Sequence, residues 1–234
     1  MKLSIKTTLF ALCAAGSTLL ISGCADNSAN DNAVKRYEIS VTNITNNQPM
    51  SPPALILHAD GYAGWQIGSA ASDGLELLAE SGDATGFVNE ATSNANVLLD
   101  ETGDGLVLPG QTETYSLSIR TAEDLRFTLA TMLVNTNDAF VGIDAIDIDD
   151  LEKGDKRVLF ASVYDAGSEE NLETAGTIPG PAGGGEGFNA ARESSDMVTM
   201  HSGVVTSSDG LSSSALDQSH RFDNPAAKVV IKRL

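Results

Sequence analysis

The chain has 234 residues, with 14 Lys and Arg against 32 Asp and Glu, a formal charge of −18 at pH 7. So acidic a surface repels nucleic acid and anionic lipid headgroups and draws cations, which excludes a nucleic-acid-binding role. Solubility or a saline habitat selects the same composition, so only clustered acids, not their total, can argue for a metal.

The N-terminus reads Met1-Lys2-Leu3-Ser4-Ile5-Lys6, then an apolar run from Thr7 to Ile21 and Ser22-Gly23-Cys24. Two lysines, an apolar centre and small residues before a cleavage point make residues 1–23 a secretory signal. The run is short and broken by Gly16-Ser17-Thr18, which argues against a membrane span. The quartet Ile21-Ser22-Gly23-Cys24 resembles the lipobox of bacterial lipoproteins. That resemblance implies cleavage before Cys24 and acylation of its thiol, with Cys24 as the membrane anchor. Several acyl chains, at roughly 0.8 kcal/mol per buried CH₂, make such attachment effectively permanent. Ala25 differs from the aspartate that holds enteric lipoproteins at the inner membrane, so the outer membrane is favoured. Cleavage removes two lysines and Cys13, which takes the charge from −18 to −20 and leaves no other thiol. Disulfide, thiolate-metal and cysteine chemistry are thereby excluded.

Residues 24–35 read as the acylated cysteine and a polar tether, and residues 36–234 as one domain. Tyr37, Ile39 and Val41 alternate with Glu38, Ser40 and Thr42, the pattern of a half-buried strand. Ser51-Pro52-Pro53 stops it, and Ala54 to His58 is a short buried strand. Leu75, Leu77, Leu78 and Ala79 place a short helix around residues 70–80. Further strands are expected over Thr112–Arg120, Arg126–Val134, Phe140–Ile146, Arg157–Tyr164, Met197–Val205 and Ala227–Lys232. The Gly/Pro-rich segment 174–189 reads as a long flexible loop. Many short strands, turn residues and little helix predict an all-β antiparallel sandwich or barrel with one or two short helices.

Catalytic templates fail. There is no Gly-x-Ser-x-Gly elbow and no Gly-x-x-x-x-Gly-Lys-Ser/Thr loop. His58, His201 and His220 are far apart and not in metal-ligand spacing, so each reads as structural.

The densest chemical signal is Asp138-Ala139-Phe140-Val141-Gly142-Ile143-Asp144, followed by Val163-Tyr164-Asp165-Ala166-Gly167-Ser168-Glu169. A hairpin centred so that Phe140 faces Val163 puts Asp138 opposite Asp165 at one open end. Gly167 permits a tight reversal that folds Glu169 back beside Asp165. Three carboxylates meeting there repel one another unless a hard cation intervenes, and oxygen-only ligands on a loop suit Ca²⁺. A solvated acidic rim around a hairpin end stays open as the alternative. The neighbouring acids from Asp144 to Asp150 lack the glycine of an EF-hand loop.

Taken with Tyr37-Glu38-Ile39-Ser40-Val41-Thr42-Asn43-Ile44-Thr45, Gln48 through Ser51-Pro52-Pro53 to His58, and Ala71 to Asp83, these two motifs resemble the spondin N-terminal domain. The resemblance implies a β-sandwich related to C2 domains with one calcium at a loop end, and adhesion roles among animal relatives. The family's ligand positions fall on Asp138, Asp165 and Glu169, with Asp144 a strand-end or supporting residue. Glu169 departs from the commoner aspartate. Ala139 replaces an aromatic residue, which leaves the hairpin end less shielded, and the animal cysteines are missing. The expectation is a lipid-anchored, calcium-binding, non-enzymatic adhesion or interaction module with a protein or glycan partner. An envelope hydrolase working through acidic residues, or a structural acidic envelope protein without a metal, are the competing readings.

Overall fold

The structure, a computed structural model, describes residues 34–120, 123–191 and 195–234. The signal, Cys24 and most of the tether lie outside the described residues. Among those described, nine strands and two short α-helices run in the order β1 (Val34–Asn43), β2 (Ala54–His58), α1 (Asp73–Ser81), α2 (Thr85–Thr92), β3 (Val97–Thr102), β4 (Thr112–Arg120), β5 (Arg126–Met132), β6 (Ala139–Asp147), β7 (Lys156–Asp165), β8 (Thr199–Met200) and β9 (Ala227–Arg233). No helix among these residues is long and apolar enough to cross a membrane.

Every pairing is antiparallel, and the strand order is β3-β2-β5-β6-β7-β9-β1-β4, with β8 beside β7. The strand β7 belongs to both halves. Residues 156–161 pair with β9, whereas 162–165 pair with β6. The sheet folds over at this strand, so its two halves face each other as in a sandwich. Between them lie Tyr37, Val41, Phe127, Val141, Val163 and Val229, all buried. Burial of each such side chain stabilises by about 1.5–3 kcal/mol before chain entropy is counted.

The alternation in β1 puts Tyr37, Ile39 and Val41 inside, and leaves Ser40 and Thr42 to meet Thr114 and Thr112 on the exposed face. The strand β2 is buried on both faces. Leu55 and Leu57 enter the sandwich, while Ala54 and Ile56 face a second cluster under the helices with Leu75, Leu78 and Phe87. That second layer explains why Ala-Leu-Ile-Leu-His has no polar alternation.

Ser72 accepts the Leu75 N–H at the start of α1, and Gly82 closes it with φ 72°. The second short helix, α2, was allowed for in number but not placed, and the strand β3 was not expected. The α2 sequence Thr-Gly-Phe-Val-Asn-Glu-Ala-Thr is poor in helix formers, and burial of Phe87 and Ala91 decides its conformation. One expected strand is cut short, and the expected loop is packed. Only Thr199–Met200 of the segment 197–205 forms a strand, because its N–H groups go to several partners: Val198 to Ser69 and His201 to Val163. The glycine-rich segment 174–189 is irregular but packed. Ile178 is buried with Val204 and Leu216, and the Ala182 N–H donates to Asn135 Oδ1.

Candidate metal centre

The turn between β5 and β6 is buried and polar. Thr136 Oγ1 donates to the Leu133 carbonyl at 2.6 Å and accepts the Ala139 N–H at 3.1 Å. The Asn137 amide donates to Glu169 Oε2 at 3.2 Å and accepts the Glu173 N–H. A turn this far from water needs side chains to satisfy its backbone, and Asn-Thr-Asn supplies them.

Asp138 is 0 % exposed. Its Oδ2 accepts the N–H groups of Ser168 at 2.9 Å and Glu169 at 3.0 Å. Its Oδ1 is buried with no hydrogen-bond partner. Burial pushes this carboxyl up to about 8, helped by the Asp165 charge and opposed by the Ser168 N–H. A buried polar atom without a partner marks a place where water or an ion belongs.

Asp165 ends β7. Its Oδ1 accepts the Gly167 N–H at 2.8 Å, an Asx-turn, and its Oδ2 accepts the Asn171 amide at 2.6 Å. Gly167 has φ 72°, and a Cβ there would stand 2.4 Å from the Met197 carbonyl oxygen. The expected reversal at Gly167 is therefore present. Asp165, Glu169, Glu170, Asn171 and Ser195 line a cleft of about 300 Å³.

The register differs by one residue from expectation. Asp165 faces Ala139, and Phe140 faces Tyr164. The Asp138 backbone carbonyl instead accepts the Ala166 N–H at 3.2 Å. Asp138 is thus not at an open end, and Ala139 is buried between the sheet halves instead of leaving the hairpin exposed. A one-residue slip reverses which face each side chain occupies, and the buried packing of Ala139 and Val141 fixes the observed choice.

Asp138, Asp165 and Glu169 do come to the same end of the sandwich, and Asp138 feels the Asp165 charge. Each carboxylate nonetheless has its own amide or backbone donors. Among the described residues, no three His, Cys, Asp or Glu side chains are gathered closely enough to hold a metal as they stand. The donors fit a hard cation in kind, being oxygen only, and Asp138 Oδ1 offers a buried vacancy in its bonding. In placement they fit only after Asp165 and Glu169 turn from the Asn171 and Asn137 amides.

His201 is buried, 5 % exposed, and lies within reach of the Asp165 charge. Its Nδ1 accepts the Gly203 N–H at 3.0 Å, while Nε2 has no partner. By contrast His58 reaches Thr128 Oγ1 and the Ala59 carbonyl, and His220 reaches Asn47 and the Asp217 N–H.

Asp144 is neither at the strand end nor beside the three acids. It lies inside β6, where its Oδ1 accepts the Gly64 N–H at 2.8 Å and the Thr128 hydroxyl at 2.9 Å. Phe140, Gly142 and Asp144 alternate along one face of β6, and Trp65 lies over Gly142. The Trp65 ring meets Phe140 at 5.0 Å and Tyr164 at 5.3 Å between centroids. The Phe-Val-Gly-Ile-Asp motif therefore serves the loop that carries Gly64 and Trp65. The sequence reading missed Trp65, although it is the one tryptophan in the chain and follows a glycine.

An antiparallel sandwich with a polar, carboxylate-bearing loop end defines the class. A sequence model described as Spondin_N matches residues 46–176, more than half of the 234 residues. The chain belongs to the spondin N-terminal domain family. The matched stretch leaves out β9 and also β1, whose residues from Tyr37 belong to the resemblance read from the sequence. No curated protein matches the chain.

Proposed function

We propose that this chain is an exported lipoprotein, anchored through Cys24 in the outer membrane, whose spondin domain binds Ca²⁺ and acts as a non-enzymatic adhesion or interaction module. The observation that carries the metal reading is Asp138 Oδ1, a buried carboxylate oxygen without a partner beside a second carboxylate. Calcium takes about 6–8 oxygen ligands. Asp138, Asp165 and Glu169 would hold it, with backbone carbonyls and water completing the shell. Asn171 supports this set, because an amide that turns over presents its carbonyl oxygen to a cation in place of its NH₂. The ion would neutralise the repulsion between Asp138 and Asp165.

Thermal unfolding tests this reading. Calcium should raise the melting temperature relative to chelator, and Asp165→Asn should abolish the rise; equal melting in calcium and chelator would count against it. The anchor has its own test. Cys24→Ser should move the protein from the membrane to the soluble fraction, and unchanged partitioning would refute it.

A second reading is an acidic envelope protein with no metal, and the pair of N–H donors already on Asp138 Oδ2 favours it. Under that reading neutralising Asp165 leaves stability within about 0.5 kcal/mol in calcium and chelator alike.

A further inference from the structure

The ladder between β6 and β7 ends at Gly142 and Ser162. Beyond it β7 crosses to β9 and leaves a groove of about 220 Å³, lined among others by Gly142, Asp144, Phe160, Ser162 and Tyr164. Its chemistry is uneven. Tyr164 and Phe160 supply aromatic rings, and Trp65 packs against Tyr164 over Gly142. Asp144 brings a carboxylate. Its Oδ1 is held by Gly64 and Thr128, its Oδ2 has no hydrogen-bond partner among the described residues, and the residue is half-buried.

No lysine or arginine among the described residues forms an ion pair with Asp144, and Lys228, across from Phe160 on β9, is no exception. The negative charge is felt by the surrounding rings. Burial raises the Tyr62 and Tyr164 hydroxyls, and in each case Asp144 adds to it.

The backbone is bent to put Asp144 there. The β5–β6 pairing slips between Phe127 and Leu129, and Ala145 has φ 49°. Bulges re-aim side chains, and a non-glycine residue in the left-handed region is strained. A carboxylate in a groove lined by aromatic side chains attracts an ammonium or guanidinium group through both charge and ring quadrupole. The groove is smaller than the roughly 300–1,000 Å³ typical of sites for whole small molecules. It suits one side chain.

We propose that this groove is an interaction site for a lysine or arginine side chain presented by a partner protein, with Asp144 as its counter-ion and Phe160 and Tyr164 as its walls. None of Asp138, Asp165 and Glu169 lines this groove. The chain's −18 charge favours a basic partner.

Trp65, the only tryptophan, reports on the groove without a label. The test titrates the protein with short neutral-backbone peptides carrying a single lysine, a single arginine or an acetyl-lysine, following the Trp65 indole N–H signal by NMR. The lysine and arginine peptides should shift it saturably, and the acetyl-lysine peptide should not. Asp144→Asn keeps an oxygen for Gly64 but removes the charge, and should weaken binding at least tenfold. Phe160→Ala, at a residue 60 % exposed, should weaken it severalfold. No saturable shift with either cationic peptide, equal binding of acetyl-lysine, or unchanged affinity in Asp144→Asn would each overturn the proposal.

Discussion

Gly142 stands where any side chain would collide with Trp65. A Cβ there would lie 2.4 Å from the ring, which Phe140 and Tyr164 hold in place. Gly142→Ala should therefore cost about 1–3 kcal/mol by overpacking, read as a lower midpoint in urea unfolding. Glu173 makes a different prediction. It is 1 % exposed, has φ 55°, accepts the Val205 N–H, and leaves Oε2 without a partner. Burial pushes its carboxyl up to about 7 from 4.5, against the pull of the Val205 N–H. Between those values the folded chain holds a proton that the unfolded chain has lost. Stability contributed by this group is thus full below about pH 4.5 and falls as pH rises through 7. Glu173→Gln should remove that slope, so its stability relative to the parent should improve by roughly 3 kcal/mol between pH 4.5 and 8. A constant difference across that range would contradict the assignment. Neither residue announced its role in the sequence, because both roles are set by neighbours distant along the chain.

At the scale of elements, strands with strict alternation could be read directly. The strands β1 and β4 show their buried faces in Tyr37-Ile39-Val41 and Leu117-Ile119 because one face meets water and the other does not. The helix α1 was equally legible, since Ser72 caps it locally and Gly82 ends it. Ser72→Ala should cost about 1 kcal/mol, visible as a small drop in melting temperature with the fold retained. The helix α2 and the segment 197–205 were not legible. Their conformations answer to tertiary partners, Phe87 in the second cluster and Ser69 and Val163 for the backbone. Gly167 is the point where local and tertiary demands agree. Both φ 72° and the Met197 backbone exclude a side chain, so Gly167→Ala should cost about 2 kcal/mol or more and disturb the loop bearing Glu169.

For the whole molecule, the shared strand β7 governs cooperativity. The strand β9 joins β7 to β1, and β1 joins β4, so half of the sandwich hangs on residues outside the 46–176 stretch. A fragment of residues 46–176 should fail to fold. Its circular dichroism should lack a cooperative thermal transition, whereas residues 34–234 should show one; an equally sharp transition in the fragment would refute this dependence.

The sequence by itself determined the all-β class, the positions of most strands, the hairpin carrying Asp138 and Asp165, and the reversal at Gly167. These follow from periodicity and backbone sterics, which act between near neighbours. Tertiary structure decided the register that sets Asp165 against Ala139, the burial of Asp138, and the separation of Asp144 from the other acids. Register and burial depend on which faces the two sheet halves hide from water, and that choice is made only when distant strands pack together.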